Sequence, residues 1–324
     1  MTSRTRSCAR WVSVGAAAAA VAWLSAVPAP AQDFPSRCAD GWQATTIVEG
    51  VGNLENLDSD GAGGFYVTGL VDGYLAHVSA DGKFEKLVTG LQHPAGIRVA
   101  GRSVYFLTGD GVTDPPGTLQ RYDLDTGAVT VLRTGLNGPN GLLLLPDGDL
   151  LISTIGLSRP PTGIARYRPS TGEFTESWSP LPLTNGLALA PGGESIYTGN
   201  LTMRIFRVLL RSPADAQVVA GPPNLLTVPD DMEATRAGDL YVADHGVGAI
   251  YRVDPATGSG CAIITGLIKR PDPVRTVPDG TTSVRIARDG ESWALFVTGM
   301  DGALRRLRPP PDIDLTPADA TRRR

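Results

Sequence analysis

The sequence predicts an all-β fold: a six-bladed β-propeller with four antiparallel strands per blade, on three observations. A two-residue step followed by an apolar residue recurs six times, as Glu55-Asn56-Leu57, Ala95-Gly96-Ile97, Asn140-Gly141-Leu142, Asn185-Gly186-Leu187, Asp230-Asp231-Met232 and Thr282-Ser283-Val284. The intervals are 40, 45, 45, 45 and 52 residues, the repeat length of propeller blades. Finally, 39 Gly and 26 Pro among 324 residues leave few windows in which a helix could run. A β-sandwich would show short strands too, but six units in phase are not its pattern.

Taken in order, the chain opens with an address. Arg4, Arg6 and Arg10 precede an apolar run over residues 11–27 that ends in Ala29-Pro30-Ala31. A basic start, a short apolar stretch and an A-x-A ending read as an export signal over residues 1–31, an uncleaved anchor being the alternative. Its removal takes three Arg and no acid, moving the formal net charge from −4 to −7, and leaves Cys38 and Cys261 as the remaining cysteines. In an oxidising compartment those two are expected to pair. The mature chain is expected to be secreted or periplasmic, without a membrane segment.

The propeller is expected over residues 32–308. After each step comes a strand, a turn carrying Gly61, Gly101, Gly148, Gly193, Gly238 or Gly290, and a second strand such as Val104-Tyr105-Phe106 or Leu240-Tyr241-Val242. Third and fourth strands follow, as in Ile250-Tyr251-Arg252-Val253 and Val129-Thr130-Val131-Leu132. The last repeat has only three strands, and residues 43–48 can supply the fourth, closing the ring and hiding its edges. Closed edges make a monomer the expectation. Pro309-Pro310-Pro311 opens a polar tail, residues 309–324, expected to be disordered. A net charge of −4 without a basic stripe argues against a nucleic-acid partner.

The first residue of each step points toward the propeller axis. Its occupants are Glu55, Ala95, Asn140, Asn185, Asp230 and Thr282, four of them carboxylates or carboxamides. Four converging oxygens with two negative charges suit a hard divalent cation such as Ca2+, with coordination positions left for water and substrate. The absence of His and Cys from the set argues against zinc or copper. Each member has a plainer alternative: Asn-Gly is an ordinary turn dipeptide, and a lone acid is usually solvated.

These residues resemble a known family. Glu55 with Leu57-Asp58, Pro139-Asn140-Gly141, Thr184-Asn185-Gly186-Leu187-Ala188 and Pro229-Asp230-Asp231-Met232 are similar to motifs of the gluconolactonase, luciferin-regenerating enzyme and senescence-marker-protein family. They also resemble its diisopropylfluorophosphatase and paraoxonase relatives. The resemblance implies a six-bladed propeller with catalytic calcium held by Glu55, Asn140, Asn185 and Asp230. The chain departs from the family pattern at three places: Asp231 where many members have Gly, Ala95 where paraoxonases have His, and Arg285-Ile286-Ala287 where gluconolactonases have Phe-Gly-Gly.

A bound calcium with open positions polarises a lactone or ester carbonyl, and a base must activate water beside it. Asp230 is the first candidate for that base and His245, after the second strand of the same blade, the second. Asp110, Arg159 and Asn200 are the candidate substrate rim; Asp110, Asn200 and His245 each fall fifteen residues after a step. The reading is an exported calcium-dependent hydrolase of lactones or related esters acting on a small molecule. A non-catalytic propeller with structural calcium, binding protein or glycan, is the alternative, and a ring-opening lyase a third.

Overall fold

The computed structural model describes residues 36–273 and 279–319. The expected export signal and the last five residues of the chain lie outside them. Every regular element described is a strand. First comes β1 (Gln43–Val48), then blade 1 with β2 (Leu54–Ser59), β3 (Phe65–Gly69), β4 (Tyr74–Val78) and β5 (Phe84–Thr89). Blade 2 holds β6 (Ile97–Ala100), β7 (Ser103–Thr108), β8 (Gly117–Asp123) and β9 (Val129–Leu136). Blade 3 holds β10 (Pro139–Leu144), β11 (Leu150–Thr154), β12 (Ile164–Arg168) and β13 (Glu173–Ser179). Blade 4 holds β14 (Thr184–Leu189), β15 (Ser195–Asn200), β16 (Arg204–Leu209) and β17 (Ser212–Ala220). Blade 5 holds β18 (Pro229–Ala234), β19 (Leu240–Asp244), β20 (Ala249–Asp254) and β21 (Ser259–Ile264). Blade 6 holds β22 (Thr281–Asp289), β23 (Ser292–Gly299) and β24 (Leu304–Arg308).

These form six four-stranded sheets, and in the sixth β1 is the outer strand against β24. Their register runs antiparallel from Gln43 opposite Arg308 to Val48 opposite Leu304. The six innermost strands touch their neighbours in a closed circle. Burial explains the ring. Six apolar clusters occupy the six interfaces between adjacent blades. Successive side chains of a strand point to opposite faces, so Leu142 packs against Leu107 and Leu119 of blade 2 while Leu143 packs against Leu187 and Ile196 of blade 4. This is why the inner strands read as continuous apolar runs rather than alternating ones. Each such leucine contributes roughly 1.5–3 kcal/mol by leaving water.

Both ends of the described chain are fastened. Cys38 and Cys261 form a disulfide. Around it the Cys38 N–H donates to Ala262 O at 2.9 Å and the Ala262 N–H to Ser36 O at 2.7 Å, so residues 36–38 lie along the outer strand of blade 5. At the other end the expectation of a disordered tail fails over residues 309–319. Leu315 is buried in the cluster between blades 5 and 6. Arg236 N–H donates to Thr316 O and Ala318 N–H to Ala234 O, at 2.7 and 2.9 Å. The prolines act here as a stiff spacer that carries Ile313 and Leu315 back to the barrel of sheets.

Candidate functional site

The recurring step is a β-bulge. In blades 1, 3, 4 and 5 the register with the second strand slips by one residue across it, between Leu54 and Leu57, Pro139 and Leu142, Thr184 and Leu187, and Pro229 and Met232. The expectation placed it just before the innermost strand; in these blades it lies inside that strand. A bulge turns a side chain out of the alternating pattern, which frees Glu55, Asn140, Asn185 and Asp230 from the blade interfaces. The donors it leaves over are met locally: Asn56 N–H donates to Thr68 Oγ1 at 3.1 Å and Gly141 N–H to Ser153 Oγ at 2.7 Å.

The glycines after the step are set by space rather than by turn geometry. A Cβ on Gly96 would meet Asn140 O at 2.5 Å, and one on Gly141 would meet Asn185 O at 2.7 Å. On Gly186 it would meet Asp231 Cα at 2.3 Å and Asp230 O at 2.4 Å. Each glycine therefore lets its strand close on the polar step of the next blade. The Asn-Gly pairs are not loop turns; they are the inner wall of the ring.

Glu55, Asn140, Asn185, Asp230 and Asp110 are all buried, and their interactions bring them together. Asn140 Nδ2 donates to Asp110 Oδ1 at 3.2 Å. Asp230 takes a hydrogen bond from Asn185 and interacts with His245. The His245 Nδ1 lies 3.3 Å from Asp230 Oδ2, an ion-pair separation outside hydrogen-bond geometry, and its Nε2 lies 3.0 Å from Asp279 Oδ1. Burial opposes the charged form of His245, but Asp230 and Asp279, with Glu55 beyond them, overcome it and push its pKa up to about 10. Burial raises Asp230. It also pushes Asp110 up to about 7, against the hydrogen bond from Asn140 and with the field of Asp230. Several carboxylates thus share a buried space in which His245 is the cation they face.

Asp231, the second acid of its step, faces away from this group. Its Oδ2 accepts from Asn56 Nδ2 at 2.9 Å, Ser283 Oγ at 2.7 Å and Arg285 Nη2 at 2.8 Å. Arg285 Nη1 adds Glu233 Oε2 at 3.2 Å and Met232 O at 3.1 Å, and Arg98 Nη1 reaches Asn56 Oδ1 at 3.4 Å. Two arginines and two acids, contributed by blades 2, 5 and 6, form a charged layer across the axis. Arg285 belongs to the last-blade triplet by which the chain departs from the gluconolactonase pattern.

Two candidate rim residues are elsewhere. Arg159 is directed to Glu176 Oε1 at 2.8 Å and Gly135 O at 2.7 Å, bridging the outer strands of blades 2 and 3. Asn200 pairs with Thr184 as Asp244 pairs with Pro229, so it matches Asp244, not His245. Its Oδ1 accepts from Thr202 N–H and Thr202 Oγ1 in a local turn. The hairpin of blade 4 is one residue longer, which breaks a count of fifteen. Asp279 is the residue the sequence reading missed: it follows the connection after β21, outside any repeat phase.

Among the described residues no group of three or more His, Cys, Asp or Glu side chains is arranged to hold a metal; half of the expected set is Asn. The donor set nevertheless fits a hard cation. Asn185 Oδ1 is buried without a protein partner, and an orphaned carbonyl oxygen beside crowded carboxylates is what a calcium ligand looks like before the ion is counted.

No family model matches the chain, and no curated protein matches its sequence. Solved structures do match its fold. A gluconolactonase from Xanthomonas campestris is 19% identical, with 83% of this chain and 90% of that chain covered at a TM-score of 0.67. A luciferin-regenerating enzyme is 15% identical over 86% of this chain and 99% of that one, at 0.65. Regucalcin from Agrobacterium tumefaciens, a calcium-binding protein, is 18% identical over 82% and 93%, at 0.62. The expected resemblance holds at the level of the six-bladed fold.

Proposed function

We propose that this protein is an exported hydrolase of lactones or related esters that uses calcium held by Glu55, Asn140, Asn185 and Asp230. The observation that carries the reading is the convergence of bulged steps from separate blades on one buried polar centre, with Asn185 Oδ1 left unpartnered. Gluconolactonase and regucalcin among the structural neighbours support it. The Cys38–Cys261 bond supports an oxidising, extracytoplasmic location.

Calcium bound there would supply a Lewis acid for the carbonyl oxygen and for the oxyanion that forms on it. The chain supplies the proton transfers. Asp230 takes a proton from water as the water oxygen adds to the carbonyl carbon, and returns it to the alkoxide as the tetrahedral adduct collapses. The products are a carboxylic acid and an alcohol, joined in one molecule when the substrate is a lactone. Burial raises Asp230 and brings its proton affinity toward that task. His245 is the weaker candidate for the base, because both of its ring nitrogens face carboxylates. Its geometry fits a brace that holds Asp230 against Asp279. Asp110 engages the Asn140 amide nitrogen and so presents the Asn140 oxygen to the centre.

The test is metal removal on purified residues 32–324. Chelator is expected to abolish turnover of a panel of lactones and aryl esters, calcium to restore it, and Asp230→Ala to lose it with the fold intact. Calcium that raises the melting temperature without turnover of any panel member would move the protein to the structural-calcium binding module. Calcium without effect on either would overturn the ligand set.

A further inference from the structure

Nine large apolar side chains are exposed among the described residues. Six of them, Val112, Leu157, Leu201, Met203, Leu226 and Val228, lie on loops that join second to third strands or one blade to the next. Those loops are at the end of the sheets where the candidate metal centre lies. The other three, Val129, Val131 and Val218, are on the outer strands β9 and β17, so none sits on the turns at the opposite end.

The loops are tied to the centre and to each other. Val228 O accepts from His245 N–H at 3.0 Å, and Val112 O accepts from Leu157 N–H at 2.7 Å. Leu201 N–H donates at 3.1 Å to Leu183 O, two residues before Asn185. Over residues 109–116, 155–163, 180–183, 201–203 and 221–228 the sequence has eight prolines and only three charged residues, Asp110, Asp114 and Arg159. Each of the three is engaged by the protein: Asp110 by Asn140, Asp114 by His93, and Arg159 by Glu176. Over blades 2 to 4 and the crossing to blade 5, these rim loops therefore combine exposed apolar side chains with prolines, and their three charges are engaged by the protein, beside a buried polar floor.

We infer that the substrate is an amphiphile: a lactone or ester whose carbonyl head enters the polar centre while an alkyl or acyl chain lies across this rim. Exposed apolar side chains gathered at one end of a water-facing chain mark a contact surface, and these loops are tied to the candidate site by the hydrogen bond from His245 to Val228. A polyhydroxylated lactone has no chain to lay against these six apolar side chains. The inference rests on the hydrolase reading and narrows it to a substrate class.

The experiment measures kcat/KM for the calcium-loaded protein along a series from γ-butyrolactone to γ-dodecalactone, with gluconolactone alongside. Half-burial of each added methylene gives a rise of about twofold per carbon, and gluconolactone is expected to trail the long lactones. Leu157→Ser with Met203→Gln is expected to flatten that slope. Val131→Thr with Val218→Thr, on the outer strands, is expected to leave it unchanged. Turnover with a flat slope, or with gluconolactone preferred, overturns the inference and leaves the hydrolase standing. No turnover of any member overturns the hydrolase and the inference with it. Dimerisation or phosphatidylcholine-vesicle binding that disappears in the Leu157→Ser, Met203→Gln protein, with the slope unaltered, assigns the rim to a second copy or a lipid surface and overturns the inference.

Discussion

A single methyl group tests the inner ring at the residue scale. On Gly186 it would meet backbone atoms of Asp230 and Asp231 at 2.4 and 2.3 Å, and backbone cannot swing aside as a side-chain tip can. Gly186→Ala is expected to cost about 1–3 kcal/mol in urea unfolding, the usual range for overpacking. It is also expected to weaken calcium binding measured by titration calorimetry, because β14 and β18 must part and Asn185 moves off Asp230. Gly61→Ala, in an open hairpin turn, is the control for a positive φ without a clash. The four ligand candidates were legible in the sequence because a repeat makes equivalent positions comparable, and oxygen side chains stood out at one phase. What surrounds them was not. Asp279 belongs to no phase, Asn200 was displaced by one extra hairpin residue, and the direction of a long flexible side chain such as Arg159 is not a property of spacing.

At the scale of elements, the blades were readable because turn glycines and β-rich runs recur. The joins at the two ends were legible only in part. β1 was foreseen, since a three-stranded last repeat leaves an edge that some strand must cover. The course of residues 309–319 was not: prolines and polar residues dominate its composition, while two apolar residues, Ile313 and Leu315, decide where it goes. The Cys38–Cys261 bond closes a span of 223 residues. In the chain-entropy account a loop that long restricts the unfolded ensemble by about 5 kcal/mol. Cys38→Ser with Cys261→Ser, or a reducing agent, is therefore expected to lower the unfolding midpoint in urea and to steepen its slope, because the released unfolded chain is less compact. The loss should be largest for blade 5, whose outer strand the stapled segment covers, and hydrogen exchange over β21 reads it directly. Unchanged protection there would place the value of the bond wholly in the unfolded chain.

For the whole molecule, the decisive feature is that the axis is not an open channel. The layer of Asp231, Glu233, Arg285 and Arg98 separates the candidate metal centre from a cavity of about 330 Å³ at the opposite mouth, lined in part by Arg98, Arg285, Asp58, Glu233 and Trp293. The two acids and two arginines balance in charge, and Arg285, Asp231 and Glu233 are all buried. A buried pair of this kind contributes little over an apolar replacement of the same volume, yet breaking it on one side is costly. Arg285→Met takes from Asp231 and Glu233 the guanidinium that pairs with both, so a loss of about 3–5 kcal/mol is expected in urea unfolding. Arg285→Met with Glu233→Gln restores the balance, leaving one acid and one arginine, and should recover more than half of that loss. A single variant as stable as the parent would mean that water reaches the layer and the axis is open. The recovery in the double variant would instead establish that charge balance, rather than the shape of the Arg285 side chain, is what seals the ring between its two faces.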